Sequence, residues 1–458
     1  MVHASRGKLP AAFICLSAIL AGCTGSGDDP AANAAIGPET SDVGTATSDV
    51  EAALIDTTDC PTDATDPIEG PVRLGTTMPL SGGPAAAAFA PIAAGLEAYI
   101  DFANEEGLLP GHEIELTVAD DQFNPNLTTP AVEQMIDATG VHAFIGMIGT
   151  ANNLAVRELL NEECFPQMFV ISGSPEWGRV EDHPWTTMFL APYNTETAVY
   201  VQDMATEFPD GSSAAIFYNN SEFGTQYQAA FAELAPEALI DIVEEQTIEV
   251  PDTAPPTSQV RAIAAREPDI VLAVPVGAQC PAFLRELANA RAANPEWNPR
   301  VYITNTCGSS LLLGLAGEAA EGIFTTLFAK DSADPALEDD PDVAAYRSSM
   351  LERGFPADGD FLYAGVGWTV GELAVESLRM AMESDAGLTR AAIMDAAHSL
   401  DYRFQLALEG AKFTTEGAAD SYGLESLQVV QYSAATDTYT NVGDVVTDYE
   451  GKSQVPEG

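Results

Sequence analysis

The chain has 458 residues and carries 69 Asp and Glu against 18 Lys and Arg, a formal net charge of −51 at pH 7. A surface this negative excludes nucleic acid and anionic lipid as electrostatic partners, because both would be repelled. High acidity with only four lysines suits a saline exterior, where salt screens the self-repulsion, and it does not identify a ligand.

Residues 1–22 place Arg6 and Lys8 before an apolar run from Leu9 to Leu20 and end in small residues. This is the order of a secretory signal peptide, and the apolar run is too short to span a bilayer. The closing Leu20-Ala21-Gly22-Cys23 resembles the bacterial lipoprotein box, which implies that Cys23 is acylated and heads the mature chain. No later stretch approaches the ~20 apolar residues of a transmembrane helix, so the membrane is expected to be met only through the lipid on Cys23. Residues 24–70 hold eleven acidic side chains, no basic ones and few large apolar residues. Such a segment buries too little surface to offset its ordering entropy, so 23–70 reads as an acidic disordered tether.

From Val72 onward, β-branched runs alternate with helical periodicity. Val72 to Met78 reads as a strand, Ala85 to Glu105 as a helix, Glu113 to Ala119 as a strand and Ala131 to Ala138 as a helix. Ala143 to Ile148 and Gln167 to Ser172 are strands flanking a helix over Asn152 to Asn161. The rhythm restarts after Pro192: helix Thr195 to Glu207, strand Ser213 to Tyr218, helix Thr225 to Leu234 and strand Glu244 to Val250. Helix Pro256 to Arg266, strand Ile270 to Val274, helix Pro281 to Ala292 and strands Val301 to Thr304 and Glu321 to Ala329 follow. Helices Asp342 to Arg353, Phe361 to Met382 and Thr389 to Ser399 lead to paired strands Leu427 to Ser433 and Tyr439 to Val446. Strand–helix alternation at this pitch means βαβ units, so the fold class is α/β, with two doubly wound parallel-sheet lobes and a cleft between them.

Open α/β sheets bind ligands at the carboxyl ends of their strands, so the residues just after each strand matter most. Here they are Pro79-Leu80-Ser81-Gly82-Gly83, Gly149-Thr150-Ala151-Asn152-Asn153 and Ser172-Gly173-Ser174-Pro175. Each loop leads into a helix whose first N–H groups suit a carboxylate or another acceptor. Ser, Thr, Asn and Gly also serve as ordinary caps and turns. Three such loops on one lobe together outline a small-molecule site.

Six cysteines become four once Cys15 and Cys23 are set aside, and an even remainder in an exported chain favours disulfides. No C-x-x-C occurs, and His112, His142, His183 and His398 lie at no metal-ligand spacing, so neither metal nor cofactor is expected.

An ordered set of motifs then resembles the branched-chain amino-acid-binding, type I periplasmic-binding family, the lipoprotein substrate-binding subunits of ABC transporters. The set comprises Leu74-Gly75-Thr76-Thr77-Met78-Pro79-Leu80-Ser81-Gly82, Ala119-Asp120-Asp121-Gln122-Phe123-Asn124-Pro125, Asn219-Asn220-Ser221-Glu222-Phe223-Gly224, Glu267-Pro268-Asp269-Ile270-Val271 and Gly365-Val366-Gly367-Trp368. The resemblance spans about residues 71–447 and implies two α/β lobes joined by a three-crossover hinge. It implies a first lobe of 71–191 plus 324–400, a second of 192–323 plus 401–447, and a tail over 448–458. Carried over by position, it places ligand contacts at Ser81, Thr150, Asn152, Ser172, Gly173 and Ser174 on the first lobe. On the second it places them at Phe223, Gly277, Ala278, Thr306 and Gly308, with Trp368 at an aromatic position. One departure stands out: amino-acid binders carry an acidic residue after the strand that here leads into Asn305-Thr306-Cys307-Gly308. An α-ammonium would lack its counter-charge there unless Glu222 or Glu176 supplied it. Trp177, Tyr193, Phe223 and Trp368 could line an aromatic pocket or serve as core. On the same topology, Cys60 and Cys164 fall at the amino ends of the first sheet and Cys280 and Cys307 at the carboxyl edge of the second, implying pairs 60–164 and 280–307.

The expected partners are therefore a small-molecule ligand and an ABC transporter permease, with no nucleic acid and a monomeric protein outside the membrane. The alternative job on this fold is ligand sensing for a membrane signalling system. Catalysis is not expected: no G-x-S-x-G elbow surrounds Ser174 or Ser310, and no phosphate-cradling loop or H-E-x-x-H is present.

Overall fold

Five strands, β1 (Val72–Met78), β2 (Ile114–Asp120), β3 (Ala143–Ile145), β4 (Gln167–Val170) and β5 (Thr186–Met188), make an all-parallel sheet of order β2-β1-β3-β4-β5. The computed structural model describes residues 55–453. Helices α1 (Gly83–Glu106), α2 (Pro125–Gln134) and α3 (Thr150–Glu162) connect the first strands. The second sheet takes β6 (Ser212–Asn219), β7 (Ile240–Ile248), β8 (Ile270–Val274), β9 (Arg300–Ile303) and β10 (Phe324–Leu327) as its parallel part. Helices α4 (Tyr193–Glu207), α5 (Glu222–Leu234), α6 (Thr257–Ala264), α7 (Gln279–Ala293) and α8 (Ser310–Ala316) accompany them. β8 is buried at every position, as a parallel strand covered on both faces must be.

The chain then returns through α9 (Pro341–Glu352), α10 (Phe361–Glu383) and α11 (Arg390–Ala397) and a short hairpin, β11 (Asp401–Tyr402) with β12 (Phe413–Thr414). β13 (Gln428–Ser433) adds antiparallel to β10, and β14 (Thr438–Asn441) to β13. α10 packs on α1, β3 and β4, so the chain passes between the two sheets three times. Glycine makes the α1–α10 contact close: a Cβ on Gly367 would lie 1.9 Å from the Ile92 carbonyl oxygen, and one on Gly95 1.8 Å from that of Ala364.

Four differences from the sequence expectations have local causes. Strand 324–327, placed with the first lobe by the expected boundary, is hydrogen-bonded between β9 and β13 in the second sheet. The helix expected over 131–138 starts at Pro125, because Asn124 caps it through the Asn126 N–H at 3.1 Å and proline suits a first turn. β5 has three residues, too few for a periodic signal. The expected tether also ends early, since residues 55–70 lie against the first lobe. There Ile55, Ala64 and Ile68 are buried, and the Ile68 N–H donates to Leu388 O at 2.8 Å. Arg390 pairs with Asp63, and Cys60 is bonded to Cys164, with Cα atoms 5.7 Å apart. Cys280 is bonded to Cys307, with Cα atoms 5.8 Å apart. The signal segment and Cys23 lie outside the described residues, as do residues 454–458 of the tail. The described part of the tail is held by the Ser453 N–H donating to Glu425 Oε1 at 2.9 Å. No described helix is long and apolar enough to cross a membrane.

The Cys60–Cys164 bond closes a separation of 104 residues and pins the 55–70 segment. Replacing both cysteines by serine should lower unfolding free energy by roughly 2–4 kcal/mol in a urea titration. An unchanged midpoint would show that the segment is held by its apolar contacts alone.

Candidate functional site

Both parallel sheets turn their strand ends toward a cleft containing two connected chambers. The outer one, of about 730 Å³, is walled by Pro84, Phe123 and Asn152 on the first-lobe side and Glu222, Phe223 and Val276 on the other. The inner one, of about 60 Å³, is bounded by Phe89, Ile148, Leu190, Tyr193, Thr306 and Tyr363, among others. Phe123, Thr150 and Phe223 belong to both.

Thr150 opens α3, and its hydroxyl lies 2.8 Å from that of Ser172, just after β4. The Tyr193 phenol joins them at 3.2 Å from Thr150 and 3.3 Å from Ser172, closing a buried triangle of hydroxyls. Tyr193 is delivered by the first crossover as the opening residue of α4, and its N–H donates to Gly173 O at 2.7 Å. Its ring passes so close to Gly173 that a Cβ there would lie 2.6 Å from it and 2.3 Å from Ala191 O. Glycine at 173 is thus the condition for Tyr193 to reach the two hydroxyls. Burial raises the phenol's pKa, so it remains a protonated donor.

Asn152 does not face the cleft freely. Its amide donates to Asp121 Oδ2 at 2.9 Å and to Thr128 Oγ1 at 2.8 Å, and Asp121 also receives the Phe123 N–H at 3.0 Å. Burial raises the Asp121 carboxyl, while these donors pull the other way. Asp121, one of many carboxylates in the sequence, therefore organises the loop that carries Phe123 into both chambers.

From the second lobe, Phe223 meets the Tyr193 ring edge-on at 5.4 Å, and Tyr227 lies 4.5 Å from it. Behind them Glu196 is wholly buried and accepts bonds from Tyr227 at 2.5 Å, Tyr200 at 2.6 Å, the Asn305 N–H at 2.9 Å and Thr326 at 3.1 Å. Burial raises its pKa, opposed by these donors. Glu196 fixes the Asn305–Thr306 turn that lines the inner chamber. It lies in the first turn of α4, where an acidic residue is ordinary, so nothing in the sequence marks it as buried.

Of the positions carried over from the resemblance, Thr150, Asn152, Phe223 and Thr306 line the chambers, and Ser172 backs Thr150. Ser81 is exposed and donates to Asp120. Gly173 makes room for Tyr193, while Ser174 caps the 3-10 turn Pro175–Gly178 through the Glu176 N–H at 3.3 Å. The Gly308 carbonyl receives the Tyr439 hydroxyl at 2.6 Å. Trp368 is core: it meets Tyr99 edge-on at 5.0 Å and donates to Gln405 at 3.0 Å. Trp177 is likewise buried, in a small cluster with Val170, Met188 and Tyr422. Glu176 is paired with Arg179 at 2.9 Å, and Glu222 is the one charged group lining the outer chamber. Among the described residues no group of His, Cys, Asp and Glu could hold a metal ion.

Gly277 and Ala278 bring the lobes into contact. The Ala278 N–H donates to Pro84 O at 3.1 Å across the cleft, and Gly277 has φ of 54°.

A family model described as "Periplasmic binding protein" matches residues 71–437. Among solved structures, the chain is similar to a branched-chain amino acid ABC transporter protein of Thermus thermophilus with bound valine, at 21% identity and TM-score 0.73, covering 83% of this chain and 97% of that one. It is also similar to an Aeropyrum pernix ABC transporter substrate-binding protein, at 16% identity and TM-score 0.71, covering 85% and 97%. An R. palustris ABC transporter solute-binding protein in complex with benzoate matches at 19% identity and TM-score 0.68, covering 82% and 98%. No curated protein matches in sequence. At these identities the structural likeness speaks for the fold alone.

A Cβ on Gly277 would lie 2.1 Å from Pro84 O on the facing lobe. Gly277→Ala should therefore hold the cleft more open, raising the radius of gyration in small-angle scattering and weakening ligand binding by about tenfold. A variant with unchanged scattering and affinity would show that closure does not use this contact.

Proposed function

This chain belongs to the periplasmic binding protein family, and we propose that it is an extracytoplasmic, lipid-anchored subunit that captures a small polar or amphipathic molecule between its lobes and delivers it to an ABC permease. The family is one of solute-binding proteins rather than enzymes, and its members act outside the cytoplasm. The two disulfides agree with export. The observation that carries the reading is the meeting of Thr150, Ser172 and Tyr193 with Phe223 across one cleft. Hydroxyl donors on one side and an aromatic wall on the other offer a ligand contacts that are complete only when the lobes are together. A ligand shifts the open–closed balance only by such a difference in contacts. The fold is known with valine and with benzoate in two of its structures, so it accommodates small carboxylic acids of either body.

The lipid on Cys23 gives the capture a purpose. An anchored trap stays near its permease. The closed, loaded form is the species the permease receives.

Thr150→Ala with Ser172→Ala removes two of the three hydroxyls while leaving the aromatic wall. Ligand affinity should fall by about tenfold or more, with the folded state retained in circular dichroism. Unchanged affinity in calorimetry would move the binding site elsewhere.

A further inference from the structure

We propose that the first lobe carries a second site, away from the cleft, that binds a small oxyanion such as inorganic phosphate or sulfate between Arg73, His142 and Arg390. The three side chains line a pocket of about 380 Å³, with Ile68, Ile136 and Phe165 as apolar wall. Arg73 is the second residue of β1, His142 directly precedes β3 and Arg390 opens α11. The pocket therefore lies at the amino ends of the first sheet, whereas the cleft lies at the carboxyl ends.

The hydrogen bonds of His142 leave two donors facing each other. Its Nδ1 accepts the Arg73 N–H at 3.0 Å, so in the neutral ring the proton sits on Nε2. The ring is neutral at pH 7, because burial and then the charges of Arg73 and Arg390 push its pKa down to about 4. That Nε2–H stands 3.1 Å from Arg73 Nη2, a second donor, and neither can accept from the other. An acceptor shared by both satisfies the pair. Among the described residues Arg73 has no carboxylate partner, and its Nε donates to Gly140 O at 2.8 Å. Arg390 is 4% exposed, with its Cζ 4.1 Å from the Phe165 ring centre, and it pairs with Asp63. Two guanidinium groups and an imidazole N–H offer more donors than a halide can use, and they match the several oxygens of phosphate or sulfate. Asp63 and Glu163 offset part of the Arg390 charge, and Asp66 and Glu69 stand exposed at the rim. Salt screens exposed carboxylates beyond roughly 10 Å at 0.1 M and buried charges much less, so a saline medium favours the anion at the buried end.

Calorimetric titration of the full chain with sodium phosphate, at an ionic strength held constant with sodium chloride, tests this. Phosphate should bind saturably, with no saturable heat from chloride, and the melting temperature should rise with the logarithm of phosphate concentration. Arg73→Gln should weaken phosphate at least about tenfold, while the general stabilisation by excluded salts remains. Asp66→Asn with Glu69→Gln leaves every donor in place and removes two rim charges, so it should tighten phosphate by about threefold. Absence of saturable phosphate heat in the wild type, equal binding of chloride, or unchanged phosphate affinity in either variant overturns the proposal. The solute-binding reading stands or falls separately, since the two cleft chambers share no residue with this pocket.

Discussion

Tyr193 is the point on which the cleft depends. Its backbone belongs to the first crossover, its phenol to the first lobe's hydroxyls and its ring to the second lobe's Phe223 and Tyr227. One side chain thereby fixes where the strand ends of one sheet stand relative to the aromatic face of the other. Gly173 permits the approach, and Glu196 holds Tyr227 and the Asn305 turn behind it. Neither lobe alone could form the inner chamber.

The distribution of charge follows a related logic. Among the described residues, several cations are used within the fold: Arg300 on Asp203 at 2.7 Å, Lys330 on Asp340 and Asp342 at 2.8 and 3.0 Å, and Arg390 on Asp63. Among the described residues no Lys or Arg lines either chamber. The cleft therefore offers a ligand hydroxyls, N–H groups and aromatic faces, with Glu222 as a charged group at the outer chamber.

Much of this was legible in the sequence because it is local. Alternating β-branched and helical stretches give the two parallel sheets, and small polar residues after the strands give Thr150 and Ser172. Motif order gives the family. Both disulfide pairs follow from the ends of the sheets to which their cysteines belong. What the sequence hid depends on contacts between distant segments. Tyr193 looks like any aromatic at a helix start until Gly173 is seen beside it. Asp121 and Glu196 are lost among 69 acidic residues until their donors are known. Trp368 carries the expected aromatic character but spends it against Tyr99, because Gly367 draws α10 onto α1. The 55–70 segment reads as tether by composition, yet a disulfide, three buried apolar side chains and the Arg390–Asp63 pair hold it.

The central claim is that a single small ligand is held by both lobes at the hydroxyl triangle. A crystal structure of the protein with its bound solute tests it most directly. The account predicts a ligand oxygen within hydrogen-bond distance of Thr150, Ser172 or Tyr193, with the ligand's body against Phe223. A ligand found on one lobe only, or away from the triangle, would contradict it.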